Sequence, residues 1–312
     1  MSRRHTLHYA GMPAKVASPG RGVARHYAGR VAIDLHTHST ASDGTEAPAV
    51  VVERAVEAGL TTLALTDHDT TKGWAEAGDA AREHGIRLVP GIEVSCARRY
   101  RSIHLLAYLP DPHDPDLVGE LERARHSRDT RLDRMVGLMA ADGIPVTVES
   151  VRAQVEPGAT AGRPHIADAL VTAGVVAHRD EAFARWLGND SPYYVSHYAP
   201  DPVRAVELVR AAGGVPVIAH PWSGTRGRVV SDALLEELAT AGLAGIEVRH
   251  RDHSADAVRH LGALARSLGL FATGSSDYHG EGKLNRLGEN TTGPDVLAAI
   301  EEQATGTAVV EP

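Results

Sequence analysis

At 312 residues and 33.1 kDa the chain can bury one barrel-sized core, or such a core carrying an insertion. No apolar run approaches the roughly 20 residues of a bilayer span, and the single cysteine, Cys96, excludes an internal disulfide and a cysteine-rich zinc site. The net charge of −8 argues against a broad nucleic-acid platform, the more so because residues 1–30 hold six Lys/Arg and no acid, which leaves 26 bases against 40 acids in the remainder.

Residues 1–30 lack hydrophobic periodicity and predict a disordered basic leader; a transit peptide and a start at Met12 are the alternatives. With no signal-peptide pattern, the expected location is cytoplasmic. The apolar run Val31-Ala32-Ile33 reads as a short buried strand that feeds Asp34-Leu35-His36-Thr37-His38 and the turn Ser42-Asp43-Gly44. Residues two apart on a strand face the same side, so His36 and His38 point together. A helix over 45–58, ended by Gly59, precedes a strand over 61–66 that runs into Asp67-His68-Asp69. A helix over 71–84 follows, then strands over 86–94, holding Glu93, and 102–108, holding His104. The strand-helix-strand order predicts a parallel α/β layout.

Three prolines break the pattern over 109–116, and residues 117–200 read as helical: an amphipathic Arg/Glu-rich stretch to Met139, then helices near 167–171 and 181–186. The rhythm resumes with a helix over 202–212, a strand over 215–219 ending at His220-Pro221, a helix over 231–241, a strand over 245–249, a helix over 255–268, a strand over 270–273 and the run Ser276-Asp277-Tyr278-His279. A last helix covers 294–304. The expected organisation is a barrel formed by 31–111 and 201–304, a helical insertion or cap over 112–200, and a tail over 305–312, with about seven strands and function at their C-terminal ends.

Such a barrel would gather His36, His38, Asp43, Asp67, His68, Glu93, His104, His220, Asp277 and His279 on one face. Each alone has an ordinary explanation: His104 as a hydrogen-bonded core histidine, Asp67 or Asp69 as a helix cap. Together they do not, because burying this many imidazoles and carboxylates costs several kcal/mol per unpaired charge, which divalent metals offset. Mixed nitrogen and carboxylate donors suit zinc, manganese or iron.

Six motifs in order, from Asp34-Leu35-His36-Thr37-His38 and Ser42-Asp43-Gly44 through Thr66-Asp67-His68-Asp69, Gly91-Ile92-Glu93, Ile103-His104, Ala219-His220-Pro221 and Ser276-Asp277-Tyr278-His279, resemble the series of the PHP superfamily over about residues 31–290. The likeness is strongest to its stand-alone phosphoesterases with a helical insertion, some of which dephosphorylate nucleotides or trim RNA ends. The resemblance implies a distorted seven-stranded TIM-like β/α barrel and two or three divalent ions, manganese first, with zinc or iron as alternatives. It implies that His36, His38, Glu93 and Asp277 share one metal. Glu93 would bridge to a second held partly by His104, with Asp43, His68, His220 and His279 completing the set.

The chemistry expected of such a site is phosphate-ester hydrolysis by a metal-activated hydroxide, with paired ions clamping the phosphate oxygens. Asp67, or a histidine outside the ligand set, is the candidate proton donor to the leaving alkoxide. Within the insertion, Gly162-Arg163-Pro164-His165 suits a helix start that favours anions, and Arg163 with His165 is expected to hold the substrate's phosphate. Lys72, His197, Arg226, Arg249, His250 and His253 are weaker rim candidates. The expected substrate is a small phosphorylated molecule, a nucleotide such as a 3′,5′-bisphosphate or the 5′ end of a short RNA, with no membrane and no obligate protein partner. The competing readings are histidinol-phosphate phosphatase, an amidohydrolase and a metal-binding module without turnover. The amidohydrolase reading wants a bridging lysine, and Lys15, Lys72 and Lys283 end no strand.

Overall fold

Seven strands follow one another around a single sheet in chain order: β1 (Ile33–Asp34), β2 (Thr62–Leu65), β3 (Arg87–Arg98), β4 (Arg101–Tyr108), β5 (Val215–Ile218), β6 (Gly245–Arg249) and β7 (Phe271–Gly274). The computed structural model describes residues 31–312 apart from 100, 157–158, 189 and 224–228, and these form one compact unit. Residues 1–30, expected as a basic leader, and residues 224–228 with the rim candidate Arg226 therefore lie outside the described residues. Just past β1 and β7 the sheet closes on itself: Thr37 bridges Tyr278 in parallel, the Asp277 amide donates to the His36 carbonyl at 2.9 Å, and the His38 amide donates to the Tyr278 carbonyl at 2.8 Å. The result is a distorted seven-stranded TIM-like barrel.

Pairing is parallel from β1 to β3 and from β5 to β7, but β4 is antiparallel to both its neighbours. This corrects the all-parallel expectation. The reason is local: β3 continues to Arg98 and β4 starts at Arg101, and a parallel return needs a crossover of about a dozen residues. Consequently His104 lies in the first half of a reversed strand, still on the face where the parallel strands end.

The outer helices are α1 (Pro48–Glu57), α2 (Trp74–His84), α7 (Pro202–Ala211), α8 (Asp232–Thr240), α9 (Ala255–Leu268) and α10 (Pro294–Gln303). Side-chain oxygens of Asp201, Ser231 and Ser254 accept the first free amides of α7, α8 and α9, supplying the partner a helix start lacks. Their apolar faces cover the barrel: Val51, Val52, Ala77 and Ala81 pack against Leu63, Leu65 and Leu88, and Val206, Val209, Leu235 and Leu261 pack against Leu105, Ile218 and Ile246. With both sheet faces covered, β2 and β5 are buried along their whole length. Inside, Tyr108 is fully buried and donates its hydroxyl to the Leu35 carbonyl at 2.9 Å. Residues 305–312, expected as a tail, pair with the barrel's lower edge, the Val310 amide donating to the Leu88 carbonyl at 2.8 Å.

Between β4 and α7 the described residues hold no strand. They form α3 (Pro115–Ala141), α4 (Val148–Arg152), α5 (Arg163–Thr172), α6 (Arg179–Ala182) and a π-helical turn, Phe183–Leu187. The 27-residue α3 is capped by Asp114, whose carboxylate accepts the Leu117 amide. Its first half buries Leu117 and Leu121 against the barrel, and its second half contributes Leu132, Met135, Val136 and Met139 to a separate core with Ile166 and Leu170.

Candidate active site

Glu93, buried on β3, is the hub of a dense cluster. Its Oε1 lies 2.7 Å from His104 Nδ1 and 3.0 Å from His220 Nε2; its Oε2 lies 3.0 Å from His38 Nε2 and 3.3 Å from both His36 Nε2 and His68 Nδ1. Asp277 Oδ1 is 3.4 Å from each of His36 Nε2 and His38 Nε2. On the outer side, Asp43 faces His279 Nε2 at 3.3 Å, His38 Nδ1 at 3.7 Å and His68 Nε2 at 3.9 Å. The ring centroids of His38 and His279 are 4.0 Å apart.

These donors fall into groups whose atoms converge closely enough to hold a cation: His36, His38, Glu93 and Asp277; His38, Asp43 and His279; His68, Glu93 and His104; and His36, His220 and Glu247. The donor chemistry fits divalent ions. His36 Nε2 and His38 Nε2 approach to 3.1 Å, and two neutral imidazoles meeting through lone pairs repel unless a proton or a cation lies between them. Electrostatics agrees. Burial would raise the Glu93 pKa, yet the imidazoles of His68, His104 and His36 hold it well below the usual carboxylate range. Burial likewise works against a charged His38, but hydrogen bonds to Asp277 and Glu93 hold its pKa up at about 9.

Backbone strain concentrates here. Asp69, His220 and Asp277 adopt positive φ of 52°, 28° and 57°, a region costing an L-residue roughly 1–2 kcal/mol. The fold tolerates it because each is over-determined. Asp69 accepts the Ser95 amide at 2.7 Å and its hydroxyl at 2.8 Å; the His220 amide donates to Glu247 at 2.7 Å; the Asp277 amide is tied to the His36 carbonyl.

Two expected residues stand apart from this chemistry. Asp67 accepts the Ser39 amide at 2.8 Å, the Ser39 hydroxyl at 2.7 Å and the Ser42 hydroxyl at 2.6 Å. It braces the loop carrying Asp43 and is not among the residues that line the cavity. His165 accepts the Gly162 amide on Nδ1 at 3.0 Å, closing the start of α5, and it too is absent from the cavity wall. Arg163 does line the cavity, its Nη1 donating to the Leu187 carbonyl at 2.7 Å and its guanidinium lying 5.5 Å from the Tyr194 ring centroid.

The cavity has a volume of about 290 Å3. One wall is Asp43, His68, His104 and His220; the other is Arg128, Arg131, Arg163 and His197 from the helical segment. Arg128 is anchored by Asp69, Nε to Oδ2 at 3.2 Å, while Arg131 Nη1 sits 3.3 Å from His197 Nδ1. Burial, with repulsion from Arg163 and Arg128, pushes the Arg131 pKa down to about 9; burial and the three arginines push His197 down to about 2, so it is neutral. Three guanidinium groups thus face the histidine and carboxylate wall across the cavity.

Sequence reasoning missed Glu247, Arg128 and Arg131. Glu247 on β6 is fully buried, and its Oε1 lies 3.1 Å from His36 Nδ1, orienting the ring so that Nε2 faces the cluster. The signal was available: a lone acid in the apolar strand Gly245-Ile246-Glu247-Val248. Among the rim candidates, His197 lines the cavity and His250 Nε2 reaches Asp277 Oδ2 at 3.4 Å. His253 instead ties Val248 and Trp222 together, and Lys72 and Arg249 are exposed. Lys283 Nζ lies 3.1 Å from Asp277 Oδ2.

A seven-stranded TIM-like barrel with clustered histidines and carboxylates at the strand ends, facing an arginine wall, defines a hydrolase of phosphate esters. The chain belongs to the PHP family: the PHP domain matches residues 34–141, and full-length relatives extend the likeness. It is 36% identical to the 3′,5′-nucleoside bisphosphate phosphatase of Chromobacterium violaceum over 81% of this chain and 89% of that protein. It is 33% identical to the 5′-3′ exoribonuclease of Haemophilus influenzae over 86% of this chain and 98% of that one. A solved metal-dependent phosphoesterase from Bifidobacterium adolescentis superposes with a TM-score of 0.86 at 40% identity, covering 88% of this chain and 97% of the other.

Proposed function

We propose that the protein hydrolyses a terminal phosphomonoester of a nucleotide, such as a 3′,5′-bisphosphate, or trims the 5′ end of short RNA, and that it does so in the cytoplasm with manganese as the working ion. The observation that carries this reading is the two-sided cavity, with the Asp43, His68, His104 and His220 wall facing Arg128, Arg131 and Arg163. The names of the bisphosphate phosphatase and exoribonuclease relatives point the same way.

In this proposal His36, His38, Glu93 and Asp277 would hold one ion, Glu93 with His68 and His104 would hold a second, and His38, Asp43 and His279 would offer a third position. When bound, divalent ions there would lower the pKa of water and neutralise charge on the phosphate. The chain's own residues do the rest. Arg163 and Arg128 orient the phosphate oxygens, Glu247 fixes the His36 ring, and neutral His197 offers a hydrogen bond without adding charge. The helical segment over 112–200 serves as a cap on the barrel of 31–111 and 201–304, restricting water at the cavity. An amidohydrolase reading is disfavoured because Glu93 fills the central position where a bridging lysine is wanted.

Phosphate release by the manganese-loaded protein from adenosine 3′,5′-bisphosphate, AMP, histidinol phosphate and p-nitrophenyl phosphate tests the proposal. Preference for the bisphosphate is expected, with Arg163→Ala raising KM. No release from any ester by metal-loaded protein would overturn it.

A further inference from the structure

A second feature lies outside the cavity. Arg123, His126, Thr130 and Arg134 of α3 fall at three- and four-residue spacing, which puts them on one helical face with Arg131. That face forms one side of a surface groove of about 280 Å3, closed on the other side by Ser196 and Tyr198. Among the described residues the groove wall holds three arginines, a histidine and four hydroxyls and no carboxylate. The acids of this helix are engaged elsewhere: Asp129 and Asp133 each pair with Arg152 at 3.0 Å, and Glu120 accepts the Tyr198 hydroxyl at the groove's end.

Arg131 joins the two spaces, for it lines both the groove and the active-site cavity. Its Nη1 points to His197, while its Nε and Nη2 are buried with no hydrogen-bond partner among the described residues. One cationic side chain thus stands between the cavity and the groove, and its charge favours an anion in either space. At the far end the Arg123 guanidinium stacks 3.8 Å over the Tyr198 ring and donates to its hydroxyl at 3.2 Å, holding a cation and an aromatic plane together at the surface. From Arg123 to Arg134 the helix rises about 16 Å, long enough for more than one phosphate of an extended strand.

We propose that this groove is the path along which the sugar-phosphate backbone of a single-stranded oligoribonucleotide runs when its terminal nucleotide occupies the cavity. The inference rests on the phosphoesterase reading of the cavity and deepens it. A basic track lined by hydroxyls and one aromatic ring suits backbone contacts without base selection.

The test uses the full chain loaded with manganese and a double variant, Arg123→Glu with Arg134→Glu, both residues being exposed and outside the cavity. Two substrates are compared: adenosine 3′,5′-bisphosphate and a 5′-phosphorylated pentaadenylate. A 3′-fluorescein-labelled form of the pentamer also reports binding by anisotropy. The expected result is a loss of about tenfold in kcat/KM and in affinity for the pentamer, with bisphosphate turnover unchanged and a shallower salt dependence of pentamer binding. Equal losses on both substrates, or unchanged pentamer binding, would overturn the groove. Arg123→Gln with Arg134→Gln should give a smaller loss in the same direction, which separates charge from misfolding. Bisphosphate turnover without pentamer binding in the wild type sinks the groove and leaves the cavity's reading intact; pentamer binding lost in the double variant, with no ester hydrolysed by the wild type, does the reverse.

Discussion

Glu247 and His36 are partners from opposite ends of the chain: a carboxylate oxygen on β6 lies 3.1 Å from His36 Nδ1, and both side chains are fully buried. Burial would raise the Glu247 pKa, but the imidazole of His36 holds it down at about 2. A carboxylate in that position fixes the tautomer of a ligating imidazole and raises its basicity. Glu247→Gln should therefore weaken manganese binding by about 10–100-fold with little change in secondary structure. Titration against a fluorescent chelator checks this, and unchanged affinity would remove Glu247 from the site.

Asp67 is expected to act as a brace. Asp67→Asn leaves one carboxamide facing donors from Ser39 and Ser42, and a buried donor left unsatisfied costs about 1–3 kcal/mol. The variant should unfold at lower denaturant concentration while its kcat keeps the shape of the wild-type pH profile. A lost acidic or basic limb in that profile would return Asp67 to proton transfer.

Arg128 should be worth more than an ordinary surface arginine. It is largely buried, and it joins α3 to the end of β2 through Asp69. Removing one member of a buried pair strands the other charge, at about 3–5 kcal/mol. Arg128→Met is expected to destabilise on that scale in urea titration, and Arg128→Met combined with Asp69→Asn to recover part of the loss.

Metal removal should be visible in stability. The buried histidines and carboxylates repel like neighbours, and ligands at 1,000 times their dissociation constant add about 4 kcal/mol. At roughly 1.5 °C per kcal/mol for a chain of this size, EDTA should lower Tm by about 6 °C, and manganese should restore it. A Tm indifferent to EDTA and manganese would argue that no ion is held there.

The histidines and acids at strand ends were readable because each follows an apolar run and precedes a turn, a local pattern. Glu93 and His104 were readable by a different signal, a lone polar residue within an apolar strand, for neither sits at a strand's end. The reversal of β4 was not extracted, yet the gap between the strands read over 86–94 and 102–108 is too short for a crossover helix, so length alone carried it. Asp67 and His165 lie outside the cavity wall for a shared reason. Both adjoin true cavity residues, His68 and Arg163, and only tertiary packing decides which side chain faces inward and which is consumed by a loop amide. Arg128 and Arg131 were hidden among the many arginines of α3. Spacing groups them on a face, but nothing local tells which face meets the barrel.

The reversal of β4 has a mechanical corollary. A strand that starts beside the site delivers the chain, at Tyr108, to the barrel's opposite rim. Everything inserted after it must climb back before it can touch substrate. From Pro115 to Arg128 the helix rises about 20 Å, close to the height of a strand of ordinary length. α3 is thus a ruler as well as a wall. One residue added below Arg128 would swing the arginines about 100° around the helix axis, whereas a full turn would restore their direction and lift them about 5 Å away from Asp69. The length of that first half, more than its composition, sets where the basic wall stands.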